Sequence, residues 1–190
     1  MINLITDINA LQVAYDKCDQ CKVHKGFYSA FQGIKDKIQQ AFQELQQKYP
    51  SSKVFLTGHS LGGALATLFL PEVYEWNGKK QLDAFYTFGQ PRVGNKQFGL
   101  WLQKNELFSI SKGRVTHNKD PIVGLGPIFL NYYHFGYEIF YKSFNENEKY
   151  TFCEKPEDSN CASGVSSQTS LQDHVSYYGF NWTVTRLLCQ

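Results

Sequence analysis

Thr57-Gly58-His59-Ser60-Leu61-Gly62-Gly63 is the stretch of this sequence that decides the fold. It matches the G-x-S-x-G pattern of a nucleophile elbow, a strained turn from strand to helix that holds a serine hydroxyl clear of a sheet. The short apolar run at residues 53–56 predicts a buried parallel strand before the turn, and residues 64–70 predict a helix after it. This context makes Ser60 a candidate nucleophile.

The glycines of this turn have a mechanical role in the prediction. We expect Gly58 and Gly62 to flank a residue in an unfavourable backbone conformation, where a side chain on either neighbour would clash with the strand or the helix. Glycine-rich turns from strand to helix also bind phosphate, but no lysine follows here as in a P-loop and no G-x-G-x-x-G spacing is present. The pattern therefore favours a nucleophile over a phosphate-binding loop.

Length, composition and charge restrict the class of protein. The chain has 190 residues, of which 42% are hydrophobic and 16% aromatic, so we expect one domain over residues 1–190 with a packed core. The net charge of +2 comes from 19 basic and 17 acidic residues without a basic block, so it implies neither a nucleic-acid partner nor an anionic membrane. No apolar run approaches the ~18 residues of a transmembrane segment, and the first residues lack the basic start and long apolar run of a signal peptide.

The five cysteines fall into two loops and the C-terminal end of the chain. Cys18 and Cys21 share one loop, Cys153 and Cys161 share another, and Cys189 is next to the last residue, so two local pairs would leave one thiol over. The first pair is also compatible with half a zinc site or a redox motif, but no second Cys or His pair at zinc-finger spacing follows. The spacing favours structural disulfides and, with them, an oxidising compartment.

The order of the predicted elements indicates a parallel sheet. Residues 27–49 carry apolar side chains every three or four positions and predict a long amphipathic helix, residues 82–89 and 114–117 predict strands, and residues 95–104 predict a helix between those strands. Alternating strands and helices build a parallel sheet. Farther along, we predict an aromatic strand at 132–141, another strand at 149–153, a serine-rich loop at 158–170 and a helical stretch at 175–180.

A nucleophilic serine needs a histidine base, and the order of the chain selects one. In folds with this elbow the triad follows the order Ser, acid, His, with the partners on loops at the carboxyl ends of strands. His24 and His59 come too early, although His59 adjoins the serine and is a candidate for lining the pocket. His117 and His134 lie inside predicted strands, where a hydrogen-bonded core or surface histidine is the expected role. His174, in a loop before the terminal helical stretch, is therefore the predicted base.

The acid is selected in the same way. Asp83 opens its strand at the wrong end, Asp158 lies in the polar loop between cysteines, and Asp173 adjoins His174, where we expect it to cap the following helix. Asp120 directly follows the strand at 114–117, at the end of the sheet where catalytic groups gather. We predict Asp120 as the acid.

Five stretches of the chain together carry a resemblance to a known family. They are Val23-His24-Lys25-Gly26-Phe27, Thr57-Gly58-His59-Ser60-Leu61-Gly62-Gly63-Ala64, Phe88-Gly89-Gln90-Pro91-Arg92-Val93-Gly94-Asn95, Val115-Thr116-His117-Asn118-Lys119-Asp120 and Asp173-His174-Val175-Ser176-Tyr177-Tyr178. With these the chain resembles the fungal-type class 3 lipases, which are secreted triacylglycerol hydrolases with a lid helix. The resemblance runs from the first residues to the end of the chain.

The resemblance implies roles for particular residues. It makes Ser60, Asp120 and His174 the catalytic triad, in agreement with the order argument, and it makes the backbone N–H of Leu61 one donor of the oxyanion hole. It also implies disulfides from Cys18 to Cys21 and from Cys153 to Cys161. The lid would be the short helix predicted near the start of the chain, whose apolar side carries Ile2, Leu4, Ile5 and Ile8.

The same comparison implies a shortened N-terminus. In this family the other oxyanion donor is a Ser or Thr that closes a Phe-Arg-Gly-Ser/Thr motif just before the lid, and the chain begins at Met1, after the place where the motif would stand. We therefore expect the strand that carries the motif, and the strands before it, to be missing. We also expect Cys189 to find its partner upstream of Met1.

The sequence thus predicts an α/β-hydrolase fold, with a mostly parallel central sheet and helices on both faces. The expected function is carboxylic-ester hydrolysis through an acyl-enzyme, with triacylglycerol at a lipid–water interface as the substrate and with neither a cofactor nor a metal. Alternatives are a phospholipase, a feruloyl-type esterase or, outside enzymes, an inactive lipid-binding remnant. The cysteines and the resemblance together imply secretion or an oxidising lumen.

Overall fold

The fold is that of a computed structural model, which describes residues 11–104, 111–144 and 149–181. The predicted lid residues Ile2, Leu4, Ile5 and Ile8, together with Cys189, lie outside the described residues. The described helices are α1 (Lys25–Lys48), α2 (Leu61–Trp76), α3 (Lys96–Lys104) and α4 (Leu171–Val175). The described strands are β1 (Gln12–Ala14), β2 (Lys22–His24), β3 (Phe55–His59), β4 (Ala84–Phe88), β5 (Gly94–Asn95), β6 (Ser111–His117), β7 (Tyr132–Tyr133), β8 (Glu138–Tyr141), β9 (Thr151–Cys153), β10 (Ser176–Tyr177) and β11 (Phe180–Asn181).

Five of the described strands form the central sheet, in the order β3-β4-β6-β8-β9. The first four are parallel to one another, and β9 joins the edge antiparallel to β8. Parallel strands need crossover connections, and β3 to β4 is connected through α2. The carboxyl ends of the four parallel strands therefore lie at the same end of the sheet, and Ser60 directly follows β3 at that end.

Helices cover the two faces of the sheet unequally. On one face, α2 and α3, together with α1 packed against α2, bury the main core, which includes Phe31, Ala64, Leu68, Leu70, Phe85, Phe98 and Leu102. The short helix α4 and the hairpin β10–β11 lie on the other face, where the Tyr177 ring meets the Phe88 ring at 6.0 Å. The mixed, mostly parallel sheet with helices on both faces agrees with the predicted fold class.

A second, antiparallel sheet packs beside the core. It contains β1, β2, β5 and β7 in that order, and it joins the start of α1 to the segment before α3. The close approach of these strands has a visible cause, because a Cβ atom on Gly94 would lie 2.5 Å from the carbonyl oxygen of Lys22. At the start of β1, Gln12 Nε2 donates to the carbonyl of Leu130 and the Tyr132 hydroxyl donates to the carbonyl of Leu11, so residues 130–132 lie next to residues 11–12.

The predicted aromatic strand at 132–141 is wrong as a single element. The chain forms β7 and β8, which belong to different sheets, and the break between them spans residues 134–137. Tyr137 has φ of 64°, which lies outside the β region, and a Cβ atom on Gly136 would lie 1.9 Å from the carbonyl oxygen of Glu154. The backbone turns there because it passes directly against the chain near β9.

The predicted helix at 175–180 is also wrong. Helix α4 ends at Val175, and the chain continues as the hairpin β10–β11. Tyr178 and Gly179 connect the two strands with φ values of 51° and 77°. Two successive residues with positive φ form the hairpin turn whose twist matches that of the flanking strands, and they exclude a right-handed helix.

Candidate active site

Ser60 lies in a strained turn between β3 and α2. Its φ of 56° and ψ of −126° are unfavourable for a residue with a side chain. A Cβ atom on Gly58 would lie 2.2 Å from the carbonyl oxygen of Gly62, so glycine is required at that position. The expected clash at Gly62 itself is wrong, because a Cβ atom there would meet nothing within 4 Å. The strand passes close to the helix backbone only on the side that precedes the serine.

His174 contacts Ser60 directly. The Ser60 hydroxyl is 2.9 Å from Nε2 of His174, although 114 residues separate them in the chain. His174 belongs to α4, and the Ser170 side chain caps this helix by accepting from the backbone N–H of Asp173. The expectation that Asp173 caps a following helix is therefore wrong, since Asp173 lies inside α4 and serine is the cap.

Asp120 is completely buried behind His174. Its Oδ2 lies 3.0 Å from Nδ1 of His174 and accepts from the phenol of Tyr177 at 2.7 Å. Its Oδ1 accepts from the backbone N–H of Ile122 at 2.8 Å. A carboxylate only accepts hydrogen bonds, so the proton of the neutral imidazole lies on Nδ1 and leaves Nε2 to accept from the Ser60 hydroxyl. The arrangement can take a proton from the serine.

His59 contacts the backbone of His174. Its Nε2–H donates to the backbone carbonyl of His174 over 2.7 Å, and the two imidazole rings lie 4.7 Å apart at 30°. Burial lowers the pKa of His59, while the hydrogen bond to His174 opposes that shift. His59 is thus held as a neutral donor that braces the backbone of His174.

The remaining histidines are buried and bonded to backbone groups. His117 donates through Nδ1 to the carbonyl of Asp173 at 3.0 Å, and His134 donates through Nε2 to the carbonyl of Val123 at 2.9 Å. His24 accepts from the backbone N–H of Phe27 and caps α1. His117 and His134 are thus hydrogen-bonded, buried histidines, and their non-catalytic role stays a prediction.

Sequence reasoning missed two residues that hold the site together. Tyr177, which donates to Asp120, stands three residues after His174, and nothing in its local pattern separates it from a core tyrosine. The Asp173 carboxylate accepts from the backbone N–H of Lys119 at 3.1 Å and from the Asn118 side chain at 3.0 Å. It therefore ties α4 to the turn that carries Asp120. No local pattern signals this contact, because it forms only where α4 packs on that turn.

A buried ion pair braces the loop after Asp120. Arg92 makes a bidentate contact with Glu157, with both distances at 2.8 Å, and its Nη1 also donates to the carbonyls of Gly124 and Gly126. Burial acts to raise the pKa of Glu157, but the hydrogen bonds from Arg92 and the nearby charges hold that pKa well below its usual value. The bridge between Cys153 and Cys161 closes the loop that contains Glu157.

Both predicted disulfides, Cys18–Cys21 and Cys153–Cys161, are present. Leu61 directly follows the serine as the first residue of α2, where a backbone N–H has no partner within the helix.

A cavity of about 580 Å³ opens beside the acid loop, and its lining includes Arg92, Gly124, Pro127, Ile128, Phe129, Ser163, Val165 and Gln168. Neither Ser60 nor His174 lines it.

Two other kinds of site are absent from the described ranges. Among residues 11–104, 111–144 and 149–181, no group of three or more His, Cys, Asp or Glu side chains is arranged to hold a metal ion. In the same part of the chain, no helix combines the length and the apolar composition needed to cross a bilayer.

Comparison with solved structures places this architecture among fungal lipases. The triacylglyceride lipase of Rhizomucor miehei superposes with a TM-score of 0.84 at 31% identity, covering 95% of this chain and 68% of that structure. Lipase II of Rhizopus niveus gives the same TM-score and identity, covering 94% of this chain and 67% of that structure. These neighbours confirm the α/β-hydrolase fold.

Comparison of sequences identifies the family. The lipase of Rhizomucor miehei is 33% identical over 182 residues, and the secreted mono- and diacylglycerol lipase 1 of Fusarium solani is 36% identical over 132 residues. These alignments cover 94% and 70% of this chain but 49% and 38% of the relatives, so the chain spans about half or less of their length. The family model of the class 3 lipases matches residues 1–129. The chain therefore belongs to the class 3 lipase family.

Proposed function

We propose that this chain is a serine carboxylic-ester hydrolase that acts on acyl lipids, with triacylglycerol as its substrate class. The observation that carries the proposal is the continuous hydrogen-bonded line from Ser60 through His174 to Asp120, with distances of 2.9 and 3.0 Å. Such a line activates a serine that is otherwise a weak nucleophile.

Each residue of the site has a role in the proposed reaction. Ser60 Oγ attacks the ester carbonyl while His174 Nε2 takes its proton, and the imidazolium then gives that proton to the leaving alcohol. Water then hydrolyses the resulting acyl-enzyme, with His174 again serving first as base and then as acid. Asp120 keeps the proton of the neutral imidazole on Nδ1 and stabilises the imidazolium, and Tyr177 and Ile122 in turn hold the carboxylate. The backbone N–H of Leu61 donates to the oxyanion.

The choice of acyl lipids rests on the relatives. The names of similar proteins describe a triacylglyceride lipase and mono- and diacylglycerol lipases, so glycerol esters are the first substrates to test. The lid remains a prediction for Ile2, Leu4, Ile5 and Ile8. We also propose an extracellular location, because one relative is named as secreted and two disulfides suit an oxidising compartment.

The test measures the 190-residue chain on a dissolved short-chain ester and on emulsified tri- and diacylglycerol. Parallel samples are treated with an organophosphonate, and the labelled peptide is identified by mass spectrometry. We expect the label on Ser60 alone, and we expect Ser60→Ala to lower hydrolysis of both substrate types by roughly 10⁴-fold or more. Ser52→Ala, at an exposed serine on the loop before β3, serves as the control.

The outcomes separate the alternatives. A chain that is labelled and hydrolyses the dissolved ester but no glyceride would point to another ester class. A folded chain that is neither labelled nor active would refute the proposed hydrolase and leave the non-catalytic lipid-binding alternative.

A further inference from the structure

Three consecutive apolar residues project from the loop that follows Asp120. Ile128, Phe129 and Leu130 are 52%, 85% and 44% exposed, and Phe129 has the highest exposure of the large hydrophobic residues described. Leu11, which is 52% exposed, lies near them, because its carbonyl accepts from the Tyr132 hydroxyl and the adjacent Gln12 donates through Nε2 to the carbonyl of Leu130. We name Ile128, Phe129 and Leu130 the apolar tip. Single exposed hydrophobic residues are ordinary, but a contiguous group marks an interaction surface.

The apolar tip is held rigidly. It forms one turn of 3-10 helix in which the backbone N–H of Leu130 donates to Pro127 at 3.0 Å and that of Asn131 donates to Ile128 at 2.8 Å. Asn131 ends the turn in the left-handed conformation, with φ of 61°, and the next residue, Tyr132, is completely buried. The exposed side chains are therefore presented by a fixed backbone, and no loss of loop entropy is needed to use them.

The tip lies at the edge of the sheet that carries the proposed active site. Its loop starts at Asp120, after the carboxyl end of β6, and the backbone N–H of Arg92, which follows β4, donates to the carbonyl of Leu125 in the same loop. The Arg92 side chain holds the carbonyls of Gly124 and Gly126. The tip is thus fixed to the same structure that positions the acid.

Two exposed lysines contact residues that border the tip. The backbone N–H of Lys25 donates to the carbonyl of Leu11, and Nζ of Lys96 lies 5.6 Å from the ring centroid of Tyr133, three residues after Leu130. Both lysines are exposed. Apolar side chains next to basic ones suit a surface that offers both acyl chains and negative charge. The overall net charge of +2 conceals this local arrangement.

We propose that the apolar tip inserts into an anionic lipid surface, with Lys25 and Lys96 facing the charged headgroups, and thereby directs the Ser60 edge of the sheet toward the lipid. The proposal rests on the proposed function for the presence of a lipid phase that the active site must reach. A water-insoluble ester lies in such a phase, and a rigid contact next to the acid loop fixes the distance and orientation of the site relative to it.

The experiment measures binding of the 190-residue chain to vesicles in the Ser60→Ala background, so that hydrolysis does not alter the lipid. Vesicles of phosphatidylglycerol and of phosphatidylcholine are sedimented, and the bound fraction gives a partition coefficient. We expect Phe129→Ser, and independently Ile128→Ser, to lower partitioning into both lipids by about tenfold, since each removes a large apolar side chain from the interface. Lys96→Gln should weaken binding to phosphatidylglycerol alone, by about fivefold.

Phe55→Ser is the matched control. Phe55 is 64% exposed, but it is the first residue of β3, so it lies at the amino end of that strand, and Ser60 follows the carboxyl end. We expect its partitioning to stay within about twofold of the parent chain, because its apolar side chain does not reach the interface. Equal losses of partitioning in Phe55→Ser and Phe129→Ser would mean that binding depends on general surface hydrophobicity. Unchanged partitioning in both tip variants would mean that the tip does not reach the lipid. Either result overturns the proposal.

Two further outcomes complete the test. If Phe129→Ser lowers the melting temperature as a core substitution does, another part of the chain covers the tip, and the proposal is wrong. Because binding is read in the Ser60→Ala background, it does not depend on catalysis. If the chain with Ser60 intact has no esterase activity but the tip variants lose binding, the proposed hydrolase is refuted and the lipid contact stands. If that chain is active but the tip variants bind lipid as well as the parent does, the lipid contact is refuted and the hydrolase stands.

Discussion

At the scale of single residues, the support of Asp120 is the most specific feature of the site. A buried carboxylate needs several donors, and within the described part of the chain Asp120 accepts from three: His174, Tyr177 and the backbone N–H of Ile122. Tyr177 and His174 share the same oxygen, Oδ2. The phenol therefore fixes the position of the oxygen that orients the imidazole, without itself touching the reacting atoms.

Tyr177→Phe tests this support. Removing a hydrogen bond to a charged group costs about 1.5–3 kcal/mol, so we expect kcat on a dissolved ester to fall by roughly ten- to a hundredfold while KM changes little. Tyr178→Phe is the control, because the Tyr178 hydroxyl is exposed and bonds to Tyr141. Equal effects of the two changes on kcat, or an effect of Tyr177→Phe confined to KM, would contradict a role for Tyr177 in holding Asp120.

At the scale of elements, the serine turn depends on one of its glycines far more than on the other. Gly58 approaches the carbonyl of Gly62 so closely that an added Cβ atom would lie 2.2 Å from it, whereas a Cβ atom on Gly62 meets open space. We expect Gly58→Ala to abolish folding or activity, and Gly62→Ala to fold with a normal melting temperature. Circular dichroism and thermal unfolding of both variants decide the point. Equal damage from both would restore the symmetric expectation drawn from the sequence.

The ion pair between Arg92 and Glu157 joins the disulfide loop to the acid loop. Glu157→Gln would leave the buried Arg92 without its charged partner, which typically costs about 3–5 kcal/mol, and would loosen the loop that begins at Asp120. We expect a large drop in the free energy of unfolding from urea titration, together with lower kcat. Glu154→Gln, at an exposed neighbour, is the control and should change neither. A stable, fully active Glu157→Gln chain would show that the loop is held by other contacts.

Element by element, the sequence was informative wherever a local pattern determined the structure. The strand–turn–helix around Ser60 and the amphipathic α1 follow from apolar spacing that any single window contains. The division of residues 132–141 between two sheets does not, because the break depends on Gly136 meeting the backbone of Glu154. The hairpin at 176–181 was missed because Tyr178 adopts positive φ, which asparagine or glycine would have signalled and tyrosine does not.

At the scale of the whole molecule, the site is assembled by topology. The three residues of the proposed triad come from the ends of β3 and β6 and from α4, and only the parallel order β3-β4-β6 brings these positions to one edge. The order Ser, acid, His therefore selected, from sequence, residues that lie together in the folded chain. The contacts of Tyr177, Asp173 and Arg92 could not be predicted in this way, because each depends on the packing of segments distant in the chain.

The stability of the whole molecule should depend on pH through its buried histidines. Burial lowers the pKa of His24, His59 and His134 below the ordinary value of 6.5. In the folded chain these imidazoles stay neutral. In that form His24 caps α1, and His134 holds the acid loop through the carbonyl of Val123. In the unfolded chain they take up protons near their ordinary pKa.

The sign of the effect is set by proton uptake. Above about pH 6.5 both states hold neutral imidazoles and the contribution is fully present; below it the unfolded chain binds more protons, so the free energy of unfolding falls as the pH drops toward the lowered pKa values of the folded state. The loss is at most about 1.4 kcal/mol per pH unit for each histidine. Urea unfolding at about pH 8, 6.5 and 5.5 should show a plateau and then a decline, and His134→Gln should make the decline shallower by up to one histidine's share. A free energy of unfolding that rises as the pH falls through this range would mean that the folded chain binds the extra protons, and the neutral imidazoles at His24, His59 and His134 would then be wrong.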